Sequence, residues 1–186
     1  MKRALFSLFS LFFALTLCAE NHLDFLGIPI DGKPRKFISQ LKKQGFELDK
    51  TYNQFDNLQR LYGAVDDKLC QVHVLSLNRE VCKVTLAYVP SSSWENTYRF
   101  YKSLQMSYTV KYGTPDDYEI RDTKTSPTFD SIFQNIKDEE AYYRCYYKTE
   151  QGMVGLSIKS DDGATGYVEV RYEDRVNFYQ QERRIM

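Results

Sequence analysis

Residues 141–174 have the sequence AYYRCYYKTEQGMVGLSIKSDDGATGYVEVRYED, and this stretch decides the predicted fold. Apolar and polar side chains alternate in three runs, which are Ala141 to Thr149, Met153 to Lys159 and Gly166 to Asp174. Gln151-Gly152 and Asp161-Asp162-Gly163 separate these runs and favour tight turns. Because a period of two is typical of strands with one buried face, the stretch predicts an antiparallel meander of three strands.

The alternation also assigns the side chains of this meander to two faces. The apolar set is expected to point toward the helices; it consists of Val154, Leu156, Ile158, Val168, Val170 and Tyr172. The opposite face carries the candidate binding residues Tyr142, Arg144, Tyr146, Tyr167 and Arg171. Tyrosine and arginine are enriched in protein interfaces, because they combine large contact area with polar tips. A solvated strand face without a function would have a similar composition, and this is the alternative.

A hairpin and two helices are predicted before this meander. Residues 69–78 and 80–89 alternate in the same way around Asn78-Arg79, which predicts the hairpin. The first helix is expected to begin near Pro34 and to stop at Gly45. A longer helix is expected to follow Ser92-Ser93-Trp94-Glu95, a capping box with Ser92 as the cap, and to continue to about residue 112.

The remaining segments carry weaker patterns. One or two short strands are predicted in residues 46–66, a short strand near 118–121 and a short helix near 129–136. The order helix, strands, helix, strands predicts an α+β fold in which helices pack on one face of an antiparallel sheet. A single domain over residues 20–186 is expected, with possible tandem halves at 23–89 and 90–176; two unrelated halves are the alternative.

The first 19 residues have the pattern of a secretory signal peptide. Lys2 and Arg3 precede an apolar run that ends at Ala19, so cleavage is expected after Cys18 or Ala19. The protein is therefore predicted to be exported, to the periplasm or to the medium. Leu15-Thr16-Leu17-Cys18 also resembles a bacterial lipobox, and lipidation at Cys18 would make the protein an outer-membrane lipoprotein. Membrane association is expected only in that case; an uncleaved anchor is a further alternative.

Three cysteines remain after the predicted cleavage, namely Cys70, Cys82 and Cys145. All three lie in alternating segments, which favours buried thiols. A disulfide between Cys145 and either Cys70 or Cys82 is the alternative, because an exported protein meets oxidising conditions.

Composition and motifs exclude several classes of protein. The chain has 25 Lys+Arg and 25 Asp+Glu, so it is not a strongly basic nucleic-acid binder. Phosphate-binding loops, zinc-binding spacings and nucleophile elbows are missing from the sequence, so no cofactor and no metal are predicted. Two acidic doublets, Asp66-Asp67 and Asp116-Asp117, could form a carboxylate pair of the kind that hydrolyses glycosides.

Several short fragments resemble uncharacterised exported proteins of the Bacteroides group. These fragments are FLGIPIDG at residues 25–32, Phe37, Leu41, Gly45-Phe46, KYGTP at 111–115 and VRYED at 170–174. The resemblance spans most of the chain after residue 19 and implies no known activity. The two predicted halves also resemble, in architecture only, beta-lactamase inhibitor protein and small outer-membrane assembly lipoproteins, and such a likeness does not fix function.

The sequence thus predicts an exported, non-catalytic protein that recognises a protein partner through an open sheet face. The alternative is a carboxylate-based hydrolase or another carbohydrate-active protein. No nucleic-acid partner is expected.

Overall fold

The computed structural model describes residues 21–52, 56–122 and 132–179, and these residues form an α+β fold, as predicted. Its helices are α1 (Pro34–Lys43), α2 (Trp94–Tyr112) and α3 (Ile132–Lys137), and a π-helical turn lies at Arg175–Tyr179. Its strands are β1 (Asp24–Phe25), β2 (Ile28–Pro29), β3 (Glu47–Leu48), β4 (Leu58–Val65), β5 (Lys68–Leu77), β6 (Glu80–Tyr88), β7 (Asp117–Asp122), β8 (Ala141–Lys148), β9 (Gly152–Lys159) and β10 (Tyr167–Asp174). The predicted signal peptide and Cys18 lie outside the described residues.

Eight of these strands form one antiparallel sheet in the order β3-β4-β5-β6-β10-β9-β8-β7. β3 to β6 follow one another along the chain, and β7 to β10 follow one another from the opposite edge. The two runs meet where β6 pairs with β10, for example at Val84 and Tyr172. The sheet therefore consists of two four-stranded meanders, one from each predicted half, and β1 and β2 form a separate small hairpin.

Helix α1 is amphipathic and begins with proline, as predicted. Its buried side chains are Phe37, Ile38 and Leu41, which belong to the same core as the sheet. The helix ends at Lys43, and the chain turns away at Gly45, whose φ of 92° is accessible mainly to glycine. The amide of Phe46 then donates to the carbonyl of Leu41, which satisfies a terminal carbonyl and directs the Phe46 ring into the core.

Helix α2 begins one residue later than the sequence suggested. Ser93, not Ser92, is the cap, and its Oγ accepts a hydrogen bond from the amide of Asn96 at 3.3 Å. Ser91 pairs with Gly166 as in a strand, so extended backbone continues to Ser93 before the helix starts. Glu95 does not complete a capping box, since it forms an ion pair with Arg99.

An aromatic stripe attaches α2 to the sheet. The ring of Trp94 lies 4.8 Å from that of Tyr143, and Tyr101 is fully buried. Farther along the helix the hydroxyls of Tyr108 and Tyr172 are hydrogen-bonded. These contacts define the inner face of the sheet as the face that α2 covers.

The shorter helices and strands lie approximately where the sequence predicts them. Two strands, β3 and β4, occupy residues 46–66, and β7 and α3 lie where a short strand and a short helix were predicted. Phe129, the expected start of that helix, is outside the described residues. Asn78 and Arg79 form the β5–β6 turn with φ of 51° and 70°, values suited to a two-residue hairpin turn.

All three described cysteines are free and buried, so the disulfide alternative does not match the structure. Cys145 lies on β8, three strands away from β6 and four away from β5. At one sheet spacing per strand these separations are about 14 Å and about 19 Å, too far for a disulfide. Burial raises the pKa of Cys70 to about 11 and that of Cys82 to about 12, so both thiols are unreactive.

Within the described ranges, the helices are all too short or too polar to cross a membrane.

Candidate functional site

The candidate residues lie on the outer face of the sheet, the face opposite α2. Along β8 the side chains of Tyr143, Cys145 and Tyr147 are buried, and those at the positions between them are partly exposed. The alternation predicted from the sequence is therefore confirmed for β8, whereas on β9 the outer-face positions Gly155 and Ser157 are buried as well. Pairing places Tyr146 beside Gly155 and Gly155 beside Arg171, in one row across β8, β9 and β10.

Four of the five candidate residues line one polar cleft of about 470 Å³ on this face. These four are Tyr142, Arg144, Tyr146 and Arg171. We call this the outer-face cleft. Its volume is in the range of sites that hold small molecules or single side chains.

Gly155 lies beneath the Tyr146 ring and the Arg171 guanidinium group, both of which line the outer-face cleft. A Cβ atom there would lie 3.3 Å from the ring of Tyr146 and 3.6 Å from Nη2 of Arg171. The ring and the guanidinium group therefore approach the same point of the backbone, which a larger side chain would occupy. Glycine inside a strand often marks such a close approach.

The two arginines are held by different neighbours. The Arg144 guanidinium lies 5.0 Å from the centre of the Tyr142 ring, in a cation–π arrangement. Nε of Arg171 lies 3.8 Å from Oε1 of Glu169 on the same strand. Both groups are thus positioned on the sheet rather than extended into solvent.

Tyr167 lies at the border of the outer-face cleft and does not line it. Its hydroxyl donates to the carboxylate of Asp161 at 3.2 Å, and Asp161 does line the cleft. Burial and the negative charge of Asp161 raise the pKa of Tyr167 well above its usual value. The phenol therefore stays protonated and holds the Asp161 carboxylate in place.

Sequence reasoning missed several residues of the cleft. Ser157 and Lys159 come from β9, Asp161 comes from the β9–β10 connection, and Lys137 and Glu139 come from the end of α3. The isolated glycine at position 155 was the available signal for a site on β9. No sequence pattern links α3 to this edge, because its position depends on packing of Phe133 against Trp94 and Gly166.

A second cluster of tyrosine and arginine lies on the other half of the outer face. The Arg60 guanidinium is 4.1 Å from the centre of the Tyr52 ring and pairs with Asp49 at 2.6 Å. His73 lies beside Arg60 across β4 and β5. Burial and the Arg60 charge lower the pKa of His73, so its neutral form is favoured.

The fold does not bring together the acidic doublets that suggested hydrolysis. Asp66-Asp67 forms the turn between β4 and β5, and Asp116-Asp117 lies at the start of β7. Four strand spacings, about 19 Å, separate β5 from β8, the neighbour of β7. In the part of the chain that the structure describes, no three His, Cys, Asp or Glu side chains are grouped closely enough to hold a metal ion.

Comparison of the chain with protein-family models, with curated proteins and with solved structures gave no match.

Proposed function

We propose that this protein is an exported, non-catalytic binding protein that recognises a protein partner through the outer face of its sheet. One observation carries the proposal: Tyr142, Arg144 and Tyr146 from one strand and Arg171 from another surround a single cleft opposite α2. These residue types dominate the energetic centres of protein interfaces. They stand on a hydrogen-bonded sheet, so little conformational entropy is lost when a partner binds.

A paired variant tests the role of this face. Replacing Arg144 and Tyr146 together by alanine should abolish capture of a partner from a bacterial envelope fraction. The melting temperature should stay near that of the wild type, because both side chains are partly exposed and lie outside the core.

The matched control changes the opposite side of the molecule. Met106 and Val110 are 70% and 89% exposed on α2, and replacing both by alanine should leave partner capture intact. Equal capture by the wild type and the Arg144/Tyr146 variant would show that the outer face does not bind the partner.

The second candidate is a carboxylate-based hydrolase or carbohydrate-active protein. The observation in its favour is that Glu139 and Asp161 line the same cleft as Tyr142 and Tyr146. Aromatic platforms and two carboxyl groups are what glycoside hydrolysis requires. Turnover of a polysaccharide by the wild type, lost in Glu139→Gln and Asp161→Asn, would establish this candidate and exclude a purely binding role.

Export is the remaining part of the proposal. Mass spectrometry of the protein from a bacterial envelope should find an unmodified N-terminus at Glu20 or Ala19. A lipid-modified Cys18 would instead assign the protein to a membrane surface, and an intact residue 1 would contradict cleavage.

A further inference from the structure

We infer that the outer-face cleft is a carboxylate-binding site, which receives an aspartate or glutamate side chain of the protein partner. This inference rests on the proposed function and specifies the chemistry of the partner. It starts from the charges that line the cleft. Four cationic side chains line it, namely Lys137, Arg144, Lys159 and Arg171, against the two acids Glu139 and Asp161. The whole chain has equal numbers of basic and acidic residues, so this excess is local.

The geometry of Arg171 shows how the cleft would hold a carboxylate. Its acidic neighbour, Glu169, lies 3.8 Å from Nε, whereas Nη2 lies on the side of Gly155, next to the ring of Tyr146. A carboxylate in the cleft would meet the terminal nitrogens of the guanidinium, the preferred geometry for a charge-assisted pair. Ser157 follows two residues along β9, on the same face, and supplies a small hydroxyl rather than a bulky side chain.

The tyrosine rings and the two acids narrow the ligand to a peptide. Tyr142 and Tyr146 offer apolar walls to a short methylene stem and hydroxyls to a carboxylate. Glu139 and Asp161 would repel a polyanion such as a nucleic acid, but they can accept hydrogen bonds from backbone amides. An aspartate or glutamate side chain would bind the cationic and tyrosine side chains of the cleft, and the peptide groups beside it would donate to Glu139 and Asp161.

A titration with a minimal probe tests the inference. N-acetyl-glutamate N-methylamide is added to the isotopically labelled protein, and the Nε–Hε signals of its arginines are followed by NMR. We expect saturable shifts at Arg171 and Arg144 that weaken as salt is added, because ionic screening reduces the attraction. The corresponding glutamine derivative should produce no such shifts.

Two variants connect the binding to the cleft. Arg171→Gln should weaken glutamate binding by about tenfold, the loss expected for one charge-assisted hydrogen bond. Gly155→Val should weaken binding because its side chain displaces the Tyr146 ring and the Arg171 guanidinium, and its melting temperature shows whether the sheet is intact. Arg99→Gln is the matched control, since Arg99 lies on α2 and is exposed.

The outcomes separate this inference from the proposed function. Three outcomes would each overturn the carboxylate site for a peptide. They are equal shifts with the glutamine probe, full binding by Gly155→Val, and binding of galacturonate without binding of the glutamate probe. If the Arg144/Tyr146 variant loses its partner while the glutamate probe leaves the protein unchanged, the outer face binds protein and the inference is wrong. If the probe binds and no partner depends on the outer face, the carboxylate site stands and the proposed function fails.

Discussion

The imidazole Nδ1 of His22 lies 3.1 Å from Oδ1 of Asp174, although 152 positions separate the two residues in the chain. Asp174 is fully buried, and its carboxylate also accepts hydrogen bonds from the amides of Leu23 and Asn177, both at 2.9 Å. The Asn177 side chain in turn donates to the carbonyl of Ile30. One carboxylate therefore joins the first described segment of the chain to the end of β10.

Asp174→Ala should destabilise the protein strongly. The substitution removes the acceptor of several buried donors, so we expect the free energy of unfolding to fall by about 3 kcal/mol. Urea denaturation followed by fluorescence measures this change. Asp67→Asn is the control, because Asp67 is exposed in a turn with φ of 60°, which asparagine tolerates. Equal midpoints for the two variants would contradict the role of Asp174.

Acidification should destabilise the protein partly through His73. Burial and the charge of Arg60 hold the folded pKa of His73 below the usual 6.5 of histidine, so the unfolded chain binds more protons as the pH falls below that value. The stabilising contribution of neutral His73 is complete above this value and is lost as the pH falls toward the folded pKa. Between about pH 7.5 and about pH 5, the melting temperature of His73→Gln should therefore fall less than that of the wild type. An imidazole pKa above 6.5 in an NMR titration of His73 would contradict this expectation.

Gly166→Ala should strain the contact between α3 and β10. A Cβ atom at this position would lie 2.0 Å from Cε1 of Phe133, and Gly166 also pairs with Ser91 through its backbone. We expect a loss of about 1–3 kcal/mol in the free energy of unfolding, as for other overpacked sites. Phe133→Leu should relieve the clash, so the double variant should cost less than the sum of the single variants. Strict additivity would show that the clash does not occur.

The thiols should be protected in the native protein. When the protein is produced without residues 1–19, Ellman's reagent should react slowly before denaturation and should then detect the three cysteines of the structure under non-reducing conditions. If only one thiol reacts after denaturation, the other two cysteines form a disulfide. Rapid reaction before denaturation would contradict the burial of Cys70 and Cys82, whose raised pKa values disfavour the thiolate.

The strands of residues 141–174 could be predicted because alternation is a local property of the chain. Tyr143 and Tyr147 are buried and the candidate residues between them are not, as their spacing requires. The ends of α1 and α2 were predictable for a similar reason, since Gly45 and Gly113 adopt the positive φ that stops a helix. The cap of α2 was misplaced by one residue, because its position depends on pairing between Ser91 and Gly166, which are distant in the sequence.

The arrangement of the sheet and the outline of the cleft could not be predicted. Alternation shows which face of the sheet a residue occupies but not which strand lies beside its own. No sequence pattern therefore predicted that β6 pairs with β10. Lys137 and Asp161 come from α3 and from a connection, and only packing of these segments brings them to Tyr142 and Arg144. The fifth candidate, Tyr167, was assigned to the correct face, but its hydroxyl binds Asp161 at the border.

The position of β10 in the middle of the sheet has a consequence for synthesis. A ribosome releases the chain from its N-terminal end, so β6 and β9 emerge before β10, with one edge each unpaired. Exposed strand edges invite pairing with other chains. The nascent protein is therefore most prone to aggregation just before its final segment is released, and a truncation before Tyr167 would make that vulnerable state permanent.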